Sequence, residues 1–343
     1  MSKKKIVVVG GGTGNHTTLT GLRTQECSLA AVVAMTDSGG SSGRLRDELG
    51  HLPPGDLRRC LMALAEESPH GNVMRRLFDY RFSSGNGLSG HNVGNLLLTA
   101  LTEVTGNTIT AIEEAAKMLG IEGRVLPVTL TRSTLIARLE DGTDLEGESA
   151  IDLRGGNTNL SIDYIRLDPK AYVYPPVLEV LEQADAIVLG PGDIYTSLLP
   201  NLLVEDVAHA INSSPAIKIH ICNLMTKPGE SDGFKASRFL NLLVEYLGSS
   251  APLDYLIFNS GEFPSRLLQR YAAEGQYPVE LDRAECQQAV RNIVCAPVLA
   301  TGVYLRHDPY ALAKEIMRIV NQPAAEPERT RSGADLACQG TSD

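Results

Sequence analysis

The sequence predicts an α/β protein with a mostly parallel sheet and a β-rich insertion. Two features point there. The chain opens with a strand, a glycine turn, a helix and a second strand, and short β-branched runs alternate again with helical stretches beyond Pro175-Pro176. A strand–helix–strand opening favours parallel pairing with right-handed crossovers.

Ile6 to Val9 is an unbroken β-branched run, as expected of a strand buried on both faces. Leu19 and Leu22 suggest a short helix, and Ala30 to Met35 a second strand running up to Asp37. Leu57, Cys60, Leu61 and Leu64 fall at amphipathic helical spacing. Val93 to Val104 and Ile109 to Leu119 predict two more helices, the second closed by Gly120 in a C-cap position. Arg124 to Thr129, Leu135 to Glu140 and Ile162 to Leu167 are strand-like, and Asp141-Gly142 signals a hairpin. The segment 123–168 therefore reads as the insertion, with Pro175-Pro176 as the joint after it. Strands are then expected at Ala186 to Leu189, Ala216 to Cys222, Tyr255 to Phe258 and Ile293 to Val298. Helices are expected at Phe239 to Leu247 and Tyr310 to Val320. One domain over 1–321 with a disordered tail over 322–343 is the expected organisation, because the Pro-, Ala- and charge-rich end has no periodicity.

Composition narrows the function. A net charge of -10 over 343 residues leaves no basic face for duplex nucleic acid, though a small anion needs only a local cluster of Arg and N–H groups. The 6 cysteines are scattered without a C-x-x-C pair, which predicts reduced thiols in a cytoplasmic protein and no metal site on cysteine. The apolar run Ile6 to Val9 is too short for a signal peptide, and no run is long enough for a membrane span.

The chemistry concentrates in loops after strands. Gly10-Gly11-Gly12-Thr13-Gly14 sits between a strand and a helix, where glycines let the backbone approach a diphosphate and the helix offers free N–H groups. It is neither G-x-G-x-x-G nor a Walker loop. In Asp37 to Arg46, small residues (Gly40, Ser41, Ser42) can form an anion nest and Arg44 can pair phosphate. Asp37 can accept from a ribose hydroxyl, hold a cation or act as a catalytic base. Asp56 reads as a helix N-cap or a ligand contact. His91, Asn92 and Asn95 cluster at a helix start. Gly190-Pro191-Gly192-Asp193-Ile194-Tyr195-Thr196-Ser197 and the stretch from Asn223 repeat the strand–turn pattern, so several loops would line one crevice.

These blocks resemble the CofD-like proteins, in their YvcK-type gluconeogenesis-factor branch. The similarity runs through GGGTG (Gly10 to Gly14), GGSSGRLR (Gly39 to Arg46), LPPGD (Leu52 to Asp56), LFDYRF (Leu77 to Phe82) and LSGHNVGNLLL (Leu88 to Leu98). It continues through GPGDIYTSLLPNLLV (Gly190 to Val204), CNLMTKPGE (Cys222 to Glu230) and Arg306-His307-Asp308, over roughly residues 4 to 320. The resemblance implies a three-layer α/β/α Rossmann-like fold and a homodimer. It implies a regulatory protein that binds a nucleotide sugar such as UDP-N-acetylglucosamine and affects cell shape and cell-wall precursor metabolism. For the name-giving relatives it implies instead a 2-phospho-L-lactate transferase that uses a guanine-nucleotide-activated donor and a divalent cation such as Mg2+. By position, Gly11, Gly12, Thr13, Gly14, Asp37 and the Gly40 to Arg44 loop should face the nucleotide. Asn95, Gly190, Gly192, Tyr195, Thr196 and Asn223 would complete the crevice, with Tyr271 and Arg306 at the sugar or base end. Ser38 stands where many relatives carry a second aspartate, and Asn15-His16-Thr17-Thr18 replaces a more apolar helix start.

Overall fold

The computed structural model describes residues 3–65, 71–154, 160–249 and 251–322. Nearly all of the tail expected after Asn321 lies outside them. Ten strands occur among the described residues: β1 (Lys4–Gly10), β2 (Cys27–Val33), β3 (Arg124–Pro127), β4 (Thr134–Leu139), β5 (Asp144–Glu146), β6 (Ile162–Asp168), β7 (Ala186–Leu189), β8 (Ile217–Ile221), β9 (Leu253–Asn259) and β10 (Val290–Ala296). A 7-stranded sheet runs in the order β10-β9-β8-β7-β1-β2-β3, and all its pairings are parallel.

The β-branched run of β1 occupies the middle of this sheet. Val8 pairs in register with Ala31 on one side and Val188 on the other, and Val8 and Val9 are fully buried. Each such side chain stabilises the fold by roughly 1.5–3 kcal/mol relative to exposure. The helices Gly12–Leu22, Gly55–Leu64 and Pro309–Val320 pack together, and Pro175–Glu182, Val207–Ser213 and Ala236–Leu247 form a second helical group. The result is the three-layer α/β/α, Rossmann-like arrangement.

Three expectations change. The strand after Gly123 belongs to the main sheet, where β3 pairs parallel to β2 as its edge, so the antiparallel insertion is only the 3-stranded sheet β5-β4-β6. Pro175 and Pro176 open a helix rather than form a joint; proline suits a first turn, where its missing N–H would have no partner. The glycine-serine segment after Asp37 turns helical at Gly40, giving Gly40–Leu49. The helix Gly71–Asp79 is an addition to the expected elements, although Val73, Met74, Leu77 and Phe78 fall at amphipathic helical spacing.

The insertion is tied down from two sides. Ile165 N–H donates to the Tyr246 hydroxyl at 2.9 Å, fixing β6 to the helix Ala236–Leu247. Its short helix Glu148–Asp152 reaches the loop after β2, where Ser149 N–H donates to Ser38 Oγ at 2.9 Å.

Candidate functional site

The sheet order dictates where a ligand can sit. From β1 the chain builds outward through β2 to β3, then returns to the other flank of β1 with β7. Connections leave in opposite directions at β1 and β7, opening a crevice beyond their carboxyl ends. The turns after these strands are the two glycine motifs, Gly10 to Gly14 and Gly190 to Asp193.

Glycine is required there for contact as well as conformation. Gly12 opens its helix at a φ of 60°. A Cβ on Gly14 would overlap the Pro191 carbonyl, so only glycine lets the first helix lie against the turn after β7. The caps of the helices Gly12–Leu22 and Gly40–Leu49 are Gly11 and Gly39, which bring no capping side chain. Both helix starts line the crevice without a capping side chain of their own, a geometry suited to anions.

The crevice has two lobes. The first, about 500 Å³, is lined by Gly11 to Gly14, Asp37, Gly40 to Ser42, Asp56, Arg58, Arg59, Arg81, Asn95, Glu148, Asp152, Gly192 and Thr196, among others. The second, about 320 Å³, is lined by residues that include Asn223, Lys227, Tyr271, Gln276 and Arg306. Thr13, Gly14, Gly192 and Asp193 line both. Each volume lies in the range of small-molecule sites.

A buried polar network supports the first lobe. Arg58 Nε donates to Asn95 Oδ1 at 3.1 Å, its Nη1 to the Phe78 carbonyl and Asp79, and Asn95 Nδ2 to Ser42 Oγ. Asn92 caps the helix Val93–Thr105 by accepting from Asn95 N–H. His91 is buried behind the lobe against Ser41 Oγ at 3.2 Å. Asn92 and His91 thus support the wall without lining it.

Three further positions from the sequence reading, Arg44, Tyr195 and Gly190, lie off the lining of both lobes, whereas Asn223 both braces and lines it. Arg44 is on the outer side of its helix and donates to the Ser89 carbonyl at 3.1 Å. Tyr195 is 1% exposed and packs edge-on against Phe234, while Thr196 next to it in the π-helical turn Ile194–Leu198 meets the lobe. Burial pushes the Tyr195 hydroxyl up to about 12, consistent with this position away from water. Gly190 shapes its turn at a φ of 81°. Asn223 does both: its Nδ2 donates to the Gly192 carbonyl at 3.0 Å and its side lines the second lobe. Asp56 does not cap, because Pro54 holds that position; its carboxylate faces the lobe and accepts from Gly12 N–H.

The acids of the first lobe repel one another. Burial, then the charge of Asp37, push Asp56 up to about 6. Burial, then Asp37 and Asp152, push Glu148 up to about 7. Oxygen donors of this kind suit a hard divalent cation, which would relieve the Asp37–Asp56 repulsion. Ser38, between Asp37 and the insertion, adds no carboxylate; its Oγ accepts from Ser149 N–H.

Where the lobes meet, Lys227 gathers three acids. Its Nζ contacts Asp152 of the insertion, Asp193 at 2.8 Å and Glu230 at 2.7 Å. Burial opposes its charge, but the carboxylates outweigh that and hold the ammonium above its usual range. Glu230, whose side chain is 1% exposed, is pushed up to about 7 by burial and Asp193 despite Lys227. Sequence reasoning missed Arg58, Arg59, Arg81, Glu148, Asp152 and Lys227. Only Asp193 stood inside a recognised glycine motif.

Comparison with known proteins agrees with the fold and the motifs. The family described as 2-phospho-L-lactate transferase CofD matches residues 6–299. A Nostoc protein described as a gluconeogenesis factor is 44% identical over 92% of this chain and 68% of its own length. The gluconeogenesis factor of Bacillus subtilis is 36% identical over 93% of this chain and 99% of its own. A crystal structure of a UPF0052-family protein from Bacillus halodurans superposes with a TM-score of 0.86 at 39% identity, over 92% of this chain and 99% of that one. The chain belongs to the CofD/UPF0052 gluconeogenesis-factor family.

Proposed function

We propose that the protein is a cytoplasmic, homodimeric regulator that binds a nucleotide sugar resembling UDP-N-acetylglucosamine and acts on cell-wall precursor metabolism and cell shape. The observation that carries this reading is that the two lobes share Thr13, Gly14, Gly192 and Asp193 in their walls. A diphosphate at that shared wall meets helix-start N–H groups, with Arg59 and Arg81 at hand. One end of the ligand then extends toward Asp37, and the other toward Tyr271, Gln276 and Arg306. Ligands of this class need such an elongated site, with polar groups at both ends of an anion cradle.

One observation favours a second reading, a transferase like the relatives that name the family: Asp37 and Asp56 share the wall of the first lobe. These two residues would hold a divalent cation, whose contribution is to neutralise charge beside a phosphate.

A thermal-shift titration with UDP-N-acetylglucosamine, GDP and NAD, with and without Mg2+, tests both readings. Ligand at 100 times its Kd stabilises the fold by about 2.7 kcal/mol. The regulator reading expects the uridine sugar to stabilise without Mg2+. Stabilisation by NAD alone would sink it. Stabilisation by GDP that depends on Mg2+ would favour the transferase.

A further inference from the structure

We infer that Tyr304 is a positioning residue for the second lobe, holding Arg306 in the orientation in which it meets the ligand. The inference rests on the nucleotide-sugar reading for the identity of that ligand, and on the geometry of the 299–307 loop for everything else.

The loop returns on itself. Ala300 N–H donates to the Arg306 carbonyl at 2.8 Å, and Leu299 bridges His307 in antiparallel fashion. It is docked on the helix Ser265–Ala273 by two bonds: Leu305 N–H to the Tyr271 hydroxyl at 3.1 Å, and Arg270 Nη2 to the Val303 carbonyl at 2.7 Å. At its base His307 Nε2 donates to the Cys222 carbonyl at 3.1 Å, which anchors it to the end of β8.

Tyr304 projects from this loop and is 57% exposed, so burial does not account for its place. Its ring is shared by two guanidinium groups, Arg270 at 5.2 Å and Arg306 at 5.3 Å from the centroid. Arg270 also lies 5.3 Å from the ring of Tyr271. Each guanidinium is attracted by the electron-rich face of that ring. Arg306 forms no ion pair with a described carboxylate, and Tyr304 is the one ring it lies over. A guanidinium lining the second lobe therefore keeps its donors available to the ligand, while its plane is set beforehand. Fixing a long side chain in advance lowers the ordering cost of binding. The group it would meet is a phosphate or a carbonyl at the end of the ligand remote from Asp37.

Calorimetric titration of UDP-N-acetylglucosamine into the full chain tests this with Tyr304→Phe, Tyr304→Leu, Arg306→Ala and the Tyr304→Leu/Arg306→Ala double variant. The phenyl ring retains the cation–π contact, so Tyr304→Phe should bind within about twofold of wild type. Tyr304→Leu should bind roughly three- to tenfold more weakly. In the Arg306→Ala background the leucine should cost nothing further, because Tyr304 acts through Arg306. Unchanged affinity in Tyr304→Leu, or fully additive losses, would overturn the proposal. A wild-type protein that does not bind this sugar nucleotide defeats the functional reading and leaves the positioning claim to a ligand-free measurement. In NMR of the guanidinium groups, the Arg306 Nε–H signal should be dispersed in wild type and Tyr304→Phe and averaged in Tyr304→Leu. An Arg306 signal identical in all three refutes the claim whatever the ligand. Circular dichroism separates a folded leucine variant from an unfolded one, and the phenylalanine variant keeps the comparison available in either case.

Discussion

Arg59 and Arg44 lie on neighbouring helices and carry the same charge, yet they face different surroundings. Arg59 lines the first lobe and pairs with Asp56 at 3.6 Å, whereas Arg44 rests on the Ser89 carbonyl outside it. Arg59→Ala should weaken nucleotide binding by about 1.5–3 kcal/mol, the worth of a charged hydrogen bond, and Arg44→Ala by less than about 0.5 kcal/mol. Side-by-side affinity measurements check the contrast, and the reverse order would remove Arg59 from the site. At Glu148 and Asp56 the prediction concerns pH. Both carboxyls are raised in the folded chain, to about 7 and about 6, so the folded state holds their protons more tightly than the unfolded state does. Stability should fall as pH rises from the unfolded values of 4.5 and 3.8 through those folded values, and level off above them. Glu148→Gln should flatten that fall in urea denaturation series across the same range. A phosphate-bearing ligand should also bind more tightly below about pH 6 than above, because the lobe then carries less negative charge.

Among the elements, the short helix of the insertion is held to the loops beside the sheet through Lys227–Asp152 and Ser149–Ser38, in addition to the Ile165–Tyr246 bond on its other side. Lys227→Met leaves Asp152, Asp193 and Glu230 without their common cation. It should destabilise the chain by roughly 2–4 kcal/mol, somewhat below the cost of breaking a fully buried pair because the lysine side chain is 25% exposed. Hydrogen exchange should rise in β5 and the helix Glu148–Asp152 more than in β1 or β7. Equal protection in all of these would show that Lys227 does not hold the insertion. This scale also marks where the sequence stopped being readable. The glycine turns after β1 and β7 were legible because a strand followed by glycines has few other uses. A glycine-serine run reads as a loop, and a loop there would carry Arg44 into the site. Helix from Gly40 onward instead turns Ser41 and Ser42 inward and Arg44 outward. Tyr195 and Thr196 are adjacent in sequence, and only the π-helical turn decides which of them faces the lobe. Glu148 and Asp152 are more than 100 residues from Asp37, and no spacing rule joins an insertion to a loop so far away.

For the molecule as a whole, strand order and composition together account for the site. The order in which strands are added to the parallel sheet reverses beside β1, and the two turns flanking the reversal are those with the glycines. No helix among the described residues is long and apolar enough to cross a membrane. A three-layer fold of this kind places ligands at the reversal whatever their chemistry, so the fold alone does not choose between a dinucleotide and a nucleotide sugar. The choice rests on the second lobe, with Tyr271, Asn223 and Arg306 joined to the glycine turns by a shared wall. Calorimetric titration of UDP-N-acetylglucosamine and NAD into wild type and an Arg306→Ala variant tests that choice most directly. Saturable one-site binding of the sugar nucleotide is expected, at least tenfold weaker in Arg306→Ala, with no heat from NAD. Binding of NAD alone, or of UDP-N-acetylglucosamine with equal affinity to both proteins, would contradict it.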